Sequence, residues 1–434
     1  MKRIRTLTLL IAVLTGCIPM ANAKYTETMD PRGLRLNAQS DFGLKDDGAL
    51  VDQSTVLQAA IDTLASKGGG RLIVPKGTYS FKGIKLRSNI HLLIEKDTVI
   101  KPKWPKGESI LVFLVDAERE RKSDEKGEQA YIENVSIRGV GGPFIVDYSD
   151  YDRAKGSGGS RAVLIKMVKN FLIENLDVKD NYTVYCGITL APMQTKYDSS
   201  KWEVSRATDG TIRNCRIFQA SPGYGLTQLH GALSVHFENL YAEGGVTFRM
   251  ETGAVGDKTA IYDITGKNIV NENGRCAVMM GPHSAKNGLV QVEQVKTIGS
   301  AFGVMVGSGH VKKKQLEKYP DSTSGSFSKG SYVKDIHVVF GMKAQVKGQL
   351  IMWIPEQYYA DLNLRWENKF FEGPSLGGIR DGSGGTSNIQ FKNVTLEGFS
   401  YNADKPILTE EDARLGSPWP ELDKWKAQYG HQSK

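Results

Sequence analysis

From residue 170 onward, apolar side chains fall at every second position over short runs. The form apolar, x, apolar, x, Asn, apolar, x, apolar recurs as NFLIENLDV (170–178), GTIRNCRIF (210–218), SVHFENLYA (234–242), YDITGKNIV (262–270) and SNIQFKNVTL (387–396). Such alternation predicts strands with one buried face. Asn214, Asn239 and Asn268 are spaced 25 and 29 residues apart, room for one coil of three short strands and their turns. A single coil cannot bury its apolar face, so successive coils must stack, and the result is a parallel β-helix. Asn suits a corner because its amide bonds backbone groups at a turn and ladders onto the next coil.

The first coil of such a stack would expose its core and strand edges without a cap. Residues 53–65 supply one, with Val56, Leu57, Ala60, Ile61 and Leu64 on one helical face and Ser54 as the expected N-cap. The coils then begin with GGGRLIVPKGTY (68–79). This opening, DFGLKDDGALVDQSTVLQAAID followed by that strand, resembles the pectate-lyase-like superfamily, which implies right-handedness. The predicted fold class is all-β, a single-stranded right-handed parallel β-helix with an N-terminal capping helix, over residues 24–403. A polar stretch at 308–331, opening on GHVKKKQLEKYP, reads as a loop inserted between coils, and 404–434 as a C-terminal tail.

Charge and leader change the picture only in part. The first 23 residues have a basic start (Lys2, Arg3, Arg5), an apolar run to Leu14 and a small-residue end at Ala21 and Ala23, the layout of a bacterial export signal. Leu14-Thr15-Gly16-Cys17 also resembles a lipobox, so a lipoprotein held at a membrane by Cys17 stays open beside a free secreted or periplasmic protein. Loss of three basic residues takes the net charge from +8 to +5. That excess suits an anionic polymer, and no basic helix or repeated aromatic-basic pattern argues for nucleic acid. Cys186, Cys215 and Cys276 lack the close spacing of a zinc site and read as buried free thiols. No metal ligand set is predicted and no cofactor is required. A structural Ca²⁺ or a site-bound anion is left open, and a monomer is expected.

Chemistry concentrates in EGGVTFRMETGAVGD (243–257). Val246, Phe248 and Met250 alternate with Thr247, Arg249 and Glu251, so the second set faces outward on a strand platform suited to an extended polymer. The coil before holds PGYGLTQLHG (222–231), and the coil after RCAVMMGPHSAKNG (275–288). Stacking Val246, Phe248 and Met250 on Cys276, Val278 and Met280 sets His283 beside position 253. An offset of 23 in the other direction sets Gln228 against Glu251 and His230 against Gly253. Trp202 and Trp353 are candidates for stacking on sugar rings, with core packing the ordinary alternative.

These same residues carry a closer resemblance. YGLTQLHG, EGGVTFRMET, GPHSAKNGLVQV and GPSLGGI (373–379), in that order and spacing, are similar to the iota-carrageenases of glycoside hydrolase family 82, with weaker similarity from residue 99 to about 380. The resemblance implies a secreted hydrolase that inverts at the anomeric carbon of a sulfated red-algal galactan, with Glu251 as general acid and Gln228 and His283 at active-site positions. Its pattern has Glu-x-Asp on one strand, about 6.5 to 7 Å apart at Cα, which suits the about 6.5 to 9.5 Å between inverting carboxyl groups. Here the second position is Gly253. Asp257 reaching back, His230 activating water, or a binding protein that has lost hydrolysis are the three readings of that departure. The short 308–331 insert implies an open groove and endo-acting cleavage, and Lys312 to Lys314 are candidate sulfate contacts. A polysaccharide lyase using Arg249 as base is the rival enzyme class.

Overall fold

The computed structural model describes residues 25–117, 131–152, 155–192, 206–253, 259–365 and 370–413. The expected export signal, Cys17 and the chain beyond 413 lie outside these residues. Strands pair in parallel in three stacks. The first runs from Arg35–Asn37 through Gly70–Val74, Ile90–Glu95, Ile132–Val140 and Val168–Glu174 into the opening parts of two long strands, Ala207–Leu229 and Ala232–Glu251. It continues through Ile261–Glu272, Val290–Ile298 and Tyr332–Val339 to Gln390–Glu397. The third stack carries the candidate chemistry. It contains Ile110–Val115, Ser160–Ile165 and Ile188–Leu190, then the ends of both long strands, then Cys276–Gly281, Phe302–Gly307, Gly377–Gly382 and Ile407–Leu408. Inward side chains such as Phe237, Phe248, Met250, Val278 and Val304 are fully buried between the stacks. This is the parallel β-helix that the alternation predicts.

The Asn-marked corner has a physical cause. Asn175, Asn214, Asn239, Asn268, Gln294, Asp335 and Asn393 stand one above another with φ between 52° and 56°, the left-handed region that Asn tolerates better than most residues. The Asn239 amide donates to Asn214 Oδ1 at 2.9 Å and accepts from Asn268 at 2.9 Å. A second left-handed column, Asn89, Asn134, Asn170, Asp209, Ser234 and Asp263, stands at another corner. Asn239→Gly should stay within about 1 kcal/mol of wild type, since it loses a ladder but keeps the backbone. Asn239→Ala should fall about 1–2 kcal/mol further, because its Cβ opposes the left-handed turn. Denaturant unfolding of the two variants checks the order.

Three expectations need correction. The capping helix is Ser54–Ser66 with Leu57, Ala60, Ile61 and Leu64 buried, but its N-cap is Gln53. The Ser54 hydroxyl is engaged elsewhere, accepting from Lys82 N at 2.8 Å and donating to Asp52. Coil structure also reaches past Ala403, because Ile407–Leu408 pairs with Ile379 and Arg380. Finally, the chain between Val339 and Gly377 is a second insert. It holds a small antiparallel sheet of Ala344–Val346, Phe370–Gly373 and Asn363–Arg365, with two 3-10 helices between. Its apolar side chains pack on Val246, Cys276 and Phe302 from outside the coils. The 308–331 insert is present and contains a short helix, Lys313–Lys318.

Candidate active site

Gly244 and Gly245, at φ 78° and 55°, turn the strand Ala232–Glu251 into the third stack. A Cβ on Gly244 would fall 2.5 Å from Ala220 O, so the bend needs a bare backbone. The second insert docks there, since Gln345 accepts from Gly245 N at 2.6 Å and donates to Ala220 O at 2.9 Å. Beyond the bend the alternation holds. Val246 pairs with Cys276, Phe248 with Val278 and Met250 with Met280, as the sequence indicates. Arg249 and Glu251 face outward, 13% and 24% exposed.

On the preceding coil the true offset is 21, with Gln228 beside Arg249. A two-residue shift keeps every side chain on its face, so the same residues still meet. Gln228 Nε2 donates to Glu251 Oε2 at 2.6 Å, and Arg249 Nη2 lies 2.7 Å from Glu251 Oε1. Arg249 also donates to Gly223 O. His230 Nδ1 is 2.8 Å from the Glu251 carbonyl, and His283 Nδ1 is 2.8 Å from the Thr252 carbonyl. A carbonyl only accepts, so both imidazoles carry hydrogen on Nδ1 and leave Nε2 as an acceptor. Burial holds both below the usual imidazole range, hence neutral near pH 7. Burial also pushes Glu251 up, but Arg249's charge and hydrogen bond outweigh it and hold the carboxyl below its ordinary value. In the free protein Glu251 is therefore a carboxylate with both oxygens engaged.

The surroundings are cationic. Glu251, Arg249, Arg275, His283 and Arg380 line an open cavity, with Met279 and Met305 on its floor. Arg275 is 9% exposed and its Nε meets no hydrogen-bond partner. Burial, with Arg249 and Arg380 nearby, pulls it down to about 10. Lys347, delivered by the second insert, is pulled down to about 8 by burial beside Arg275 and Arg249. Glu251 pairs across with Gly281, and Gly307 and Gly382 follow in the next coils. A Cβ on Gly281 or Gly307 would meet nothing nearer than 3.8 Å. The result is an open strip from Glu251 over Gly281 and Gly307, which Glu410 and Arg380 close at Gly382.

Position 253 is not the vacancy that the missing carboxylate suggests. Gly253 has φ 75°, and a Cβ there would sit 3.0 Å from Ser284 Oγ. The strand has ended and the chain is turning. Gly253→Asp is therefore expected to lose about 1–3 kcal/mol of stability through backbone strain and to gain no activity, checked by thermal unfolding and rate. Asp257 and Trp202 lie outside the described residues. Trp353 is buried core, 1% exposed with Arg380 over its ring. Lys312 to Lys314 are exposed on the first insert. That insert brings His310 to 4.8 Å from the His283 ring, edge-on, and both His310 N and Gly325 N bond the His283 carbonyl at 2.7 Å.

Sequence reading missed Arg275, Arg380, Lys347 and His310. The first two adjoin strands already singled out, and outward parity would have marked Arg380, which follows Ile379. Lys347 and His310 sit in inserts with no alternation to place them.

An acid and neutral imidazoles on the outer face of a right-handed β-helix, with Arg249 paired to Glu251, Arg380 paired to Glu410, and Arg275 and Lys347 beside them, define a protein that handles anionic polysaccharide. No family model matches the chain. It is 31% identical over 381 residues to an iota-carrageenase of Alteromonas macleodii, covering 84% of this chain and 69% of that one. It is 32% identical over 412 residues to an iota-carrageenase of Zobellia galactanivorans, covering 92% and 78%. Among solved structures, a 1,3-alpha-1,4-beta-D-galactose-4-sulfate-3,6-anhydro-D-galactose-2-sulfate 4 galactohydrolase superposes with TM-score 0.77 at 28% identity, over 91% of this chain and 94% of that one. An iota-carrageenase complexed to iota-carrageenan fragments gives 0.74 at 26%, over 89% and 92%. The tailspike protein of bacteriophage HK620, at 17% identity and TM-score 0.53, shares the fold alone. The chain belongs to the iota-carrageenase family, glycoside hydrolase family 82.

Proposed function

We propose that the protein is an endo-acting hydrolase of a sulfated galactan of the iota-carrageenan type, inverting at the anomeric carbon. The observation that carries this reading is a carboxylate, Glu251, facing an open cavity with Arg249, Arg275, Arg380 and Lys347 around it. Arg249 is paired with Glu251 and Arg380 with Glu410, so four cations face two anions and the excess positive charge, from Arg275 and Lys347, is what a sulfated chain neutralises. Sulfates that engage Arg249 also remove what holds Glu251 ionised, and their own charge favours its protonated form. Glu251 then protonates the leaving oxygen while water attacks from the opposite face. His283 is the proposed base. It lines the cavity with Glu251 and keeps Nε2 as acceptor, whereas His230 is only 6% exposed. The reading includes export, either free or through Cys17, and action as a monomer without a cofactor.

Elimination is the less supported chemistry, because Arg249 is engaged by Glu251 and Gly223 O and a guanidinium does not give up its proton. Incubating the purified protein with iota-carrageenan, other carrageenans, agar and pectate tests the reading. New reducing ends without ultraviolet absorbance from an unsaturated sugar are expected from iota-carrageenan. Absorbance would mean a lyase, and binding without products a non-catalytic protein.

A further inference from the structure

Towards the N-terminal end of the platform, a second cation is built in without an acid. Arg161 lies in Ser160–Ile165, three coils before the strand of Glu251 in the third stack. Its guanidinium carbon lies over the Tyr185 ring, 3.8 Å from the centroid, and its Nε donates to Thr189 Oγ1 at 3.2 Å. The ring is seated from another side, since a Cβ on Gly159 would fall 2.2 Å from it. Tyr185 holds φ 85°, a strained value for a bulky side chain. Tyr224 meets Tyr185 edge-on at 5.9 Å and carries Arg249 at 6.0 Å on its own ring. Among the described residues Arg161 makes no ion pair. Burial holds its guanidinium below the ordinary arginine range.

A surface arginine that merely covers an aromatic ring has no need of a strained partner. This one is held over Tyr185 and fixed at its Nε by Thr189, and among the described residues its terminal nitrogens are left for a ligand. Thr189 stands two coils before Arg249, about 10 Å along the axis at the usual strand spacing. That is the distance to a neighbouring sugar, not to the bond being cut.

We propose that Arg161, held by Tyr185, is a sulfate receptor that fixes a sugar subsite on the N-terminal side of Glu251. The ligand class is a pyranose sulfate half-ester of the same chain that Glu251 cleaves, so the inference rests on the functional reading above. A fixed fork suits a sulfate, whose oxygens accept two parallel N–H bonds. The charge would supply affinity and register, and Tyr185 is a positioning residue.

The test compares wild type, Arg161→Gln and Arg161→Lys on iota-carrageenan and on a chemically desulfated galactan, following KM, kcat and product lengths. Arg161→Gln is expected to raise KM on iota-carrageenan about 10- to 100-fold, the scale of a charge-assisted hydrogen bond, with the loss falling on KM. The spread of product lengths should shift, and the variants should converge on the desulfated polymer. Arg161→Lys should recover only part of the affinity, since a point charge lacks the fork. It also serves if the glutamine variant does not fold. Wild-type KM and product lengths in folded Arg161→Gln, or in Arg161→Lys should the former not fold, would overturn the proposal. If wild type cuts no galactan, the functional reading fails by itself. Calorimetric titration with iota-carrageenan oligosaccharides then still decides the subsite, equal binding by wild type and Arg161→Gln being the negative result.

Discussion

Glu251→Gln should lower kcat on iota-carrageenan by about 10² to 10⁴, the usual scale of a general acid, while KM stays level or falls. The sign for binding follows from the geometry. Glutamine keeps the shape and one acceptor oxygen for Arg249, now 2.7 Å from the carboxylate, while Gln228, now donating at 2.6 Å, turns its amide oxygen to the new N–H. The change removes the negative charge beside Arg249 that competes with substrate sulfates. The same argument fixes a proton balance. Glu251 sits below its ordinary value in the free protein, where burial, which alone would raise it, is outweighed by Arg249. Substrate anions raise it, so a proton is taken up on binding at pH values between the free and bound pKa. Calorimetry in buffers of different ionisation enthalpy reads that uptake, which Glu251→Gln should abolish. Wild-type kcat in the variant would end the acid assignment, and unchanged uptake would assign the proton to another group.

The fold was legible because a β-helix repeats one rule. Alternation placed Phe248 and Met250 inward and paired them and Val246 correctly with the following coil, although Val246 packs under the second insert and not in the coil core. Asn marked a corner whose left-handed turn selects it. The preceding coil was misregistered for a physical reason. Asn214 and Asn239 are 25 residues apart, but the pairing shifts between Ile217 and Ala220 and again between Ala220 and Gly225, so the offset is 21 by Gln228. Those irregularities lie in FQASPGYG, where no periodicity records them. Parity survived because the error was even, and so Glu251, Gln228, His230 and His283 were rightly grouped. What stayed hidden came from segments without a period. The second insert delivers Lys347, the first delivers His310, and Tyr185 takes its part through a strained backbone and a neighbouring glycine. The apparent vacancy at Gly253 was a further misreading, since counting two residues on from Glu251 assumes a strand that has already ended.

The base is the step on which family pattern and this chain part, and His283→Ala should expose it. An inverting hydrolase must deprotonate its water opposite the leaving group, and no carboxylate stands at Gly253 to do so. His283 has its Nδ1–H fixed on the Thr252 carbonyl at 2.8 Å, its ring steadied edge-on by His310 at 4.8 Å, and Nε2 free to accept. Burial lowers its pKa, so it is already deprotonated at the mildly acidic edge of the neutral range. His283→Ala should reduce kcat by about 10² to 10⁴ with little change in KM, and added formate or azide should restore part of the rate by entering the space left. His310→Ala, which removes only the steadying ring, should cost less and respond to neither anion. Full activity in His283→Ala would transfer the role, with His230→Ala and Asp257→Asn then separating the remaining two candidates. His230 is buried against the Glu251 carbonyl, so its loss is expected to disturb the acid's strand and lower stability as well as rate, a double effect that a pure base would not show.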